Sequence, residues 1–263
     1  MFFKKTADSR IAFLIFLVYN SIIKIIETRT TMKKALSILT SRRFLLILTA
    51  IGITTTYCIF PSPFYLVLPL YISLFVGMLT SKANRYAFLI GGLNSVLYTI
   101  SYIGLGLYFS AFYAFFFSCL LQLATFFTWS KRAYKDSTVF RRMTKKMYIG
   151  IGTSFVLIFC IAVPVLKLVG SSYGTLDTLT SLLGILVTVL HLFSFREAPF
   201  IQIISCTIGM VLNITMVLDD PSRFPFLISG IYGAICVARS IFAIWKLYKE
   251  QQANKAAEAT VQT

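Results

Sequence analysis

The sequence predicts an all-α membrane protein with about eight transmembrane helices, arranged as a 3+1+3 parallel repeat with one additional N-terminal helix. Three observations carry this expectation. The 263 residues are 57% hydrophobic and 13% charged, where ordinary soluble domains are about 45–50% apolar and about 25% charged. So few charges cannot clothe a water-facing surface, which excludes a soluble globular protein and a disordered chain alike. The apolar residues gather in runs near the length of about 20 that a bilayer-crossing helix requires. The basic residues, 25 Lys and Arg against 9 Asp and Glu, cluster between those runs on one side.

Taken in order, residues 1–43 form a basic segment in which the apolar run Ile11–Ile23 is too short to span and is flanked by Arg10 and Lys24. An interfacial helix is expected there. Phe44–Phe60 is the additional transmembrane helix. Pro61-Ser62-Pro63 must be a tight turn, since proline cannot continue a helical ladder. The first three-helix unit, 64–129, holds the runs Phe64–Leu79, Tyr86–Leu107 and Ala111–Trp129. A basic loop, 130–146, is the natural hinge between halves. Met147–Val169 is the linker helix. The second unit, 176–245, holds Leu176–Phe195, Pro199–Leu218 and Phe224–Trp245, and a tail follows over 246–263.

Reading back from Trp129 and from Trp245 gives the same order of helix, short outer turn, helix and basic residue, Arg85 or Arg196, with one more helix in front. Three is odd, so a second unit would be inverted without the linker helix. With it, the repeats are parallel about an axis along the membrane normal. Charge tests the map. With both ends inside, segments 1–43, 80–85, 130–146, 196–198 and 246–263 carry 22 of the 25 Lys and Arg, as the cytoplasmic face of a membrane protein does. The net charge of +16 is thereby read as orientation plus attraction to anionic lipid, not nucleic acid. Trp129 and Trp245, the two tryptophans, read as interfacial anchors. The five cysteines sit singly in apolar runs, without the pairing of a disulfide or zinc site.

Polar groups inside such helices are costly, so their arrangement informs. Asp177, Thr180, Ser181, Gly184, Thr188 and His191 fall on one face of a helix, as do Gln202, Ser205, Cys206, Gly209 and Asn213. Asn94, Tyr98, Ser101 and Tyr102 make a third stripe, and Ser118, Gln122, Thr125 and Trp129 a fourth. Four striped helices can enclose a wet passage. Asn94, Tyr98 and Gln122 reach the middle of their helices together and are read as a binding trio. Asp177, at a helix start, suits the role of a capping carboxylate. His191 reads as neutral and hydrogen-bonded.

Arg85-Tyr-Ala-Phe-Leu-Ile-Gly-Gly-Leu-Asn94-Ser-Val-Leu-Tyr98, then Gly106-Leu-Tyr108 and Leu121-Gln122 up to Trp129-Ser-Lys, resembles the first half of the PnuC vitamin transporters. Leu176-Asp177-Thr-Leu-Thr-Ser, Arg196-Glu197 and Trp245-Lys246 resemble the second half, so the resemblance covers about residues 64–248. It implies a SWEET-like fold and uptake of a nucleoside-like vitamin, nicotinamide riboside above all, by facilitated diffusion, with a cytoplasmic kinase trapping the substrate. Related members carry deoxynucleosides, riboflavin or thiamine. The family's asparagine, third-helix amide and second-half acid match Asn94, Gln122 and Asp177. Where nicotinamide riboside members carry Trp-x-x-Trp and then Asn, this sequence reads Pro199, Gln202 and Cys206, with Phe200 adjacent.

The expected substrate-binding residues are thus Asn94, Tyr98, Gln122, Phe200, Gln202, Cys206, Asp177 and Thr188. No cofactor, metal or catalytic residue is expected: the chain has no GxSxG, HExxH or P-loop and no paired intramembrane carboxylates. The expected partners are a small-molecule substrate and the bilayer of the inner membrane, with both termini cytoplasmic. A homo-oligomer is left open.

Overall fold

The computed structural model describes residues 41–169 and 173–261. The expected interfacial helix, Ile11–Ile23, lies outside the described residues. The described residues belong to two units, parted between Leu45 and Leu46. Of the first, the described part is the start of helix α1, Arg42–Ile59, where the Ser41 hydroxyl accepts from Phe44 N at 3.1 Å as an N-cap.

Seven further helices follow: α2 Phe64–Thr80, α3 Tyr86–Gly104, α4 Tyr108–Lys131, α5 Lys145–Val169, α6 Gly174–Leu192, α7 Ala198–Asp219 and α8 Phe224–Val261. Each of the eight runs read as transmembrane falls on one of these. Seven of the eight have the length and apolarity to cross a membrane, and α2 is a shorter apolar helix. Their outward faces carry bare Ile, Leu, Val and Phe, such as Ile149, Leu157, Leu218 and Phe242. A bilayer covers such side chains at no cost, whereas water would not.

Six helices close a ring within the second unit. α2 packs on α3, α3 on α4, α4 on α6, α6 on α7, α7 on α8, and α8 returns to α2. α5 packs on α6 outside this ring, and the Thr54 hydroxyl of α1 meets Tyr71 OH of α2 at 2.8 Å. Two irregularities shape the ring. Pro69 interrupts α2, and its missing N–H would leave the carbonyl of Tyr65 unpaired in hydrocarbon. The Ser101 hydroxyl of α3 donates to that carbonyl at 2.8 Å, which repairs the ladder and pins α3 to α2. In α4, residues Tyr113–Cys119 take a π turn, a local widening often found at functional sites. It re-aims Tyr113, Ser118 and Gln122 inward.

The basic loop is tied to its neighbours at several points. It forms a short hairpin, β1 Ala133–Tyr134 against β2 Ser137–Thr138, turning at Lys135 with φ 53°. Asp136 O accepts from Arg85 N at 2.9 Å. Arg141 pairs along the α6–α7 turn, its N–H donating to Ser194 O at 2.9 Å and its O accepting from Arg196 N at 3.0 Å. The Gln251 side chain accepts from Phe140 N at 3.0 Å and donates to Thr138 O at 2.8 Å. Gln251 is available because α8 runs for 38 residues, about 57 Å at 1.5 Å per residue and far beyond the about 30 Å hydrocarbon core.

This hairpin also corrects the reading of Trp129 as an interfacial anchor. Trp129 is 1% exposed, with Phe88 and Phe140 edge-on at 4.7 and 5.5 Å. Its indole N–H donates to His191 O at 2.7 Å, so it ties α4 to α6. Trp245 is half-exposed, with Arg196 and Lys249 over its ring.

Candidate functional site

The ring encloses a cavity of about 460 Å³, within the range of about 300–1,000 Å³ typical of small-molecule sites. All six ring helices line it, and neither α1 nor α5 does. The stripes read from the sequence supply much of the wall. From α6 come Thr180, Ser181, Gly184, Thr188 and His191. From α7 come Gln202, Ser205, Cys206, Gly209 and Asn213. From α3 and α4 come Asn94, Tyr98, Tyr102, Ser118 and Gln122.

Asn94 is buried between α3 and α2. Its amide N–H groups donate to Pro69 O at 3.0 Å and Ser73 Oγ at 3.1 Å. Its Oδ1 has no partner among the described residues. An unpaired buried acceptor costs about 1–3 kcal/mol, which a ligand donor would recover. Tyr98 OH shares Ser73 Oγ at 2.7 Å, and its ring stacks on Tyr102 at 5.3 Å. Gln122 Nε2 donates to Ser118 Oγ at 2.6 Å. Its Oε1 lies so close over Gly91 that a Cβ there would collide with it. Glycine at 91 is what allows a long amide at 122.

Across the cavity, Thr188 Oγ1 donates to Gly184 O at 2.7 Å and lies 3.4 Å from Tyr113 OH. A Cβ on Gly184 would stand 2.7 Å from the Tyr113 ring. His191 Nε2 lies 3.3 Å from Gln202 Oε1. No Lys, Arg, Asp or Glu stands among the described lining residues.

Asn94, Tyr98, Gln122, Thr188, Gln202 and Cys206 are thus brought together, and two other expected site residues are not. Phe200 is 47% exposed on the outer face of α7, because positions two apart on a helix point to nearly opposite sides and Gln202 takes the inner one. Asp177 is fully buried beside the cavity rather than in its wall. Its carboxylate accepts from Phe109 N and Ser110 N, both at 3.1 Å, and from the Ser110 hydroxyl. It caps α4, whose own N-cap Leu107 has no side-chain oxygen to offer. Ser181 Oγ joins at 2.9 Å from Ser110 Oγ. Its capping role is the one expected from the sequence, exerted on a neighbouring helix.

Ser73, Tyr113, Ser110 and Ser229 also line the cavity, outside the stripes that the sequence shows. Lone serines in apolar helices carry no periodic signal. Tyr113 faces inward through the π turn, which no spacing rule anticipates.

A family model described as nicotinamide mononucleotide transporter matches residues 64–250. Among solved structures, the chain is similar to one described as the crystal structure of the Vitamin B3 transporter PnuC. The TM-score is 0.68 at 16% sequence identity, covering 80% of this chain and 92% of that one. At such identity the likeness speaks for the fold. Among curated proteins no sequence matches.

Proposed function

The chain belongs to the nicotinamide mononucleotide transporter family, and from that premise we propose that it carries a nucleoside-like vitamin, nicotinamide riboside first, by facilitated diffusion. It is a multi-pass membrane transporter and not an enzyme. One observation carries the substrate reading: the ring cavity is polar but uncharged. A mononucleotide would bring a phosphate dianion into a site whose described lining has no Lys or Arg. Moving an ion from water into a protein interior without a partner costs several kcal/mol. Nicotinamide riboside lacks the phosphate, and its one delocalised pyridinium charge can lie against the Tyr98 and Tyr102 rings of the wall, while its hydroxyls and carboxamide suit Asn94 Oδ1 and the amides of Gln122 and Gln202.

In this reading the basic hairpin and both termini face the cytoplasm, as the charge distribution favours, in the inner membrane. The two three-helix units, 64–129 and 176–245, rock about the cavity, and a cytoplasmic kinase holds the substrate by phosphorylating it. The test is uptake into proteoliposomes. Labelled nicotinamide riboside should equilibrate in both directions and be competed by unlabelled compound, while the mononucleotide should not. Uptake of the mononucleotide alone, or accumulation driven by an imposed proton or sodium gradient, overturns the proposal.

A further inference from the structure

His191 is the single histidine of the chain and stands in the last turn of α6, at the end of the cavity that bears the basic hairpin. Its ring is buried, packed against Phe88 at 5.2 Å and Trp129 at 6.1 Å between centroids. Nε2 meets Gln202 Oε1 at 3.3 Å, and Nδ1 has no partner among the described residues. The Gln202 Nε2 group likewise has no partner among the described residues, and Gln202 lines the cavity.

These contacts favour one tautomer of the ring. A neutral imidazole carries one N–H. With that proton on Nε2, the ring donates to Gln202 Oε1 and only a lone pair is left bare at Nδ1. With the proton on Nδ1, a buried N–H is orphaned and two lone pairs face each other across 3.3 Å. Orphaned buried N–H groups are rarer than under-satisfied acceptors, so the first arrangement prevails. Its consequence is directional. Holding Oε1 at the wall turns the two Gln202 amide N–H groups toward the cavity.

We propose that His191 is a positioning residue that sets Gln202 as a double donor for a carbonyl oxygen on the transported molecule. The site then selects a heterocycle bearing an exocyclic or ring carbonyl. It reads that group by hydrogen bonding from Gln202, which lines the cavity. The proposal rests on the transporter reading of the cavity.

Two measurements test it on the full chain in lipid nanodiscs. The first needs no ligand. With ¹⁵N-labelled histidine, the one ring should show a protonated Nε2 and an unprotonated Nδ1 at pH 7, and Gln202→Met should abolish that preference. A wild-type ring protonated on Nδ1, or charged, overturns the proposal.

The second is calorimetric binding of nicotinamide riboside and of the pyridine riboside lacking the carboxamide. His191→Met should weaken the carboxamide ligand about tenfold, the size of one hydrogen bond, and leave the other unchanged. His191→Gln, which can donate from the same place, should restore binding. His191→Met combined with Gln202→Met should be no weaker than Gln202→Met alone. Unchanged affinity in His191→Met, or equal losses for both ligands, overturns the proposal. Should His191→Met not fold by thermal melt, Gln202→Met and His191→Gln read the same bond from either side. Should wild type bind neither riboside, the substrate reading fails, and the ring spectrum still decides the positioning role.

Discussion

Replacing Asp177 with Asn keeps the shape of the side chain and inverts part of its chemistry. The carboxylate is fully buried and receives two backbone N–H groups and a hydroxyl from the start of α4. An amide keeps one accepting oxygen and presents an NH₂ where the other stood. Either Phe109 N or Ser110 N then faces a donor, at a cost of about 1–3 kcal/mol for a buried unpaired group. Loss of the negative charge at a helix N-terminus adds about 0.3–1 kcal/mol. The sum, about 1.3–4 kcal/mol, corresponds to a melting shift of roughly 3–15 °C for a chain of this size. Scanning fluorimetry of purified wild type and variant measures it. Nicotinamide riboside affinity of the folded variant should stay within about threefold, because Asp177 stands outside the cavity wall. A variant that melts within about 2 °C of wild type refutes the capping argument. One that melts normally yet loses substrate makes Asp177 a ligand contact instead.

Four further outcomes follow from the same geometry. Asn94→Ala and Gln122→Ala should each lose about 5- to 150-fold in nicotinamide riboside affinity by calorimetry, since about 1–3 kcal/mol of unpaired polar group remains on the ligand. Gly184→Ala should lower the melting temperature and slow uptake, because the Tyr113 ring 2.7 Å from the new Cβ must shift into the cavity, at about 1–3 kcal/mol for overpacking. Gln251→Ala leaves Phe140 N and Thr138 O unpaired, and should speed limited proteolysis at Lys135 at least tenfold. In a Cys-free background, an impermeant maleimide applied outside should label a cysteine at Ser222 and miss one at Lys135, the reverse pattern overturning the orientation.

What could be read from the sequence was what has a period. Runs of about 20 apolar residues require helices whatever their neighbours, so all eight fell on observed elements. A polar face at 3.6-residue spacing must turn from lipid, so the stripes of α6 and α7 met in one cavity. What escaped depends on the partner across the gap. Trp129 reads as a membrane-border residue until the hairpin folds over it, because an indole N–H beside basic residues suits headgroups as well as it suits His191 O at 2.7 Å. Asp177 at a helix start satisfies the rule for capping its own helix, yet its oxygens go to α4, whose first amides lack a local acceptor. Phe200 neighbours the positions that match the family's tryptophans, yet helical geometry gives the inner place to Gln202 and leaves Phe200 outside. The π turn of α4 shifts every later residue of the helix by a fraction of a turn. Beyond it, Gln122, Thr125 and Trp129 still share one face of a regular helix, but the cavity lining from this helix stops at Gln122 and Trp129 is closed in by Phe88 and Phe140: a period gives the face and not how far along it a cavity runs.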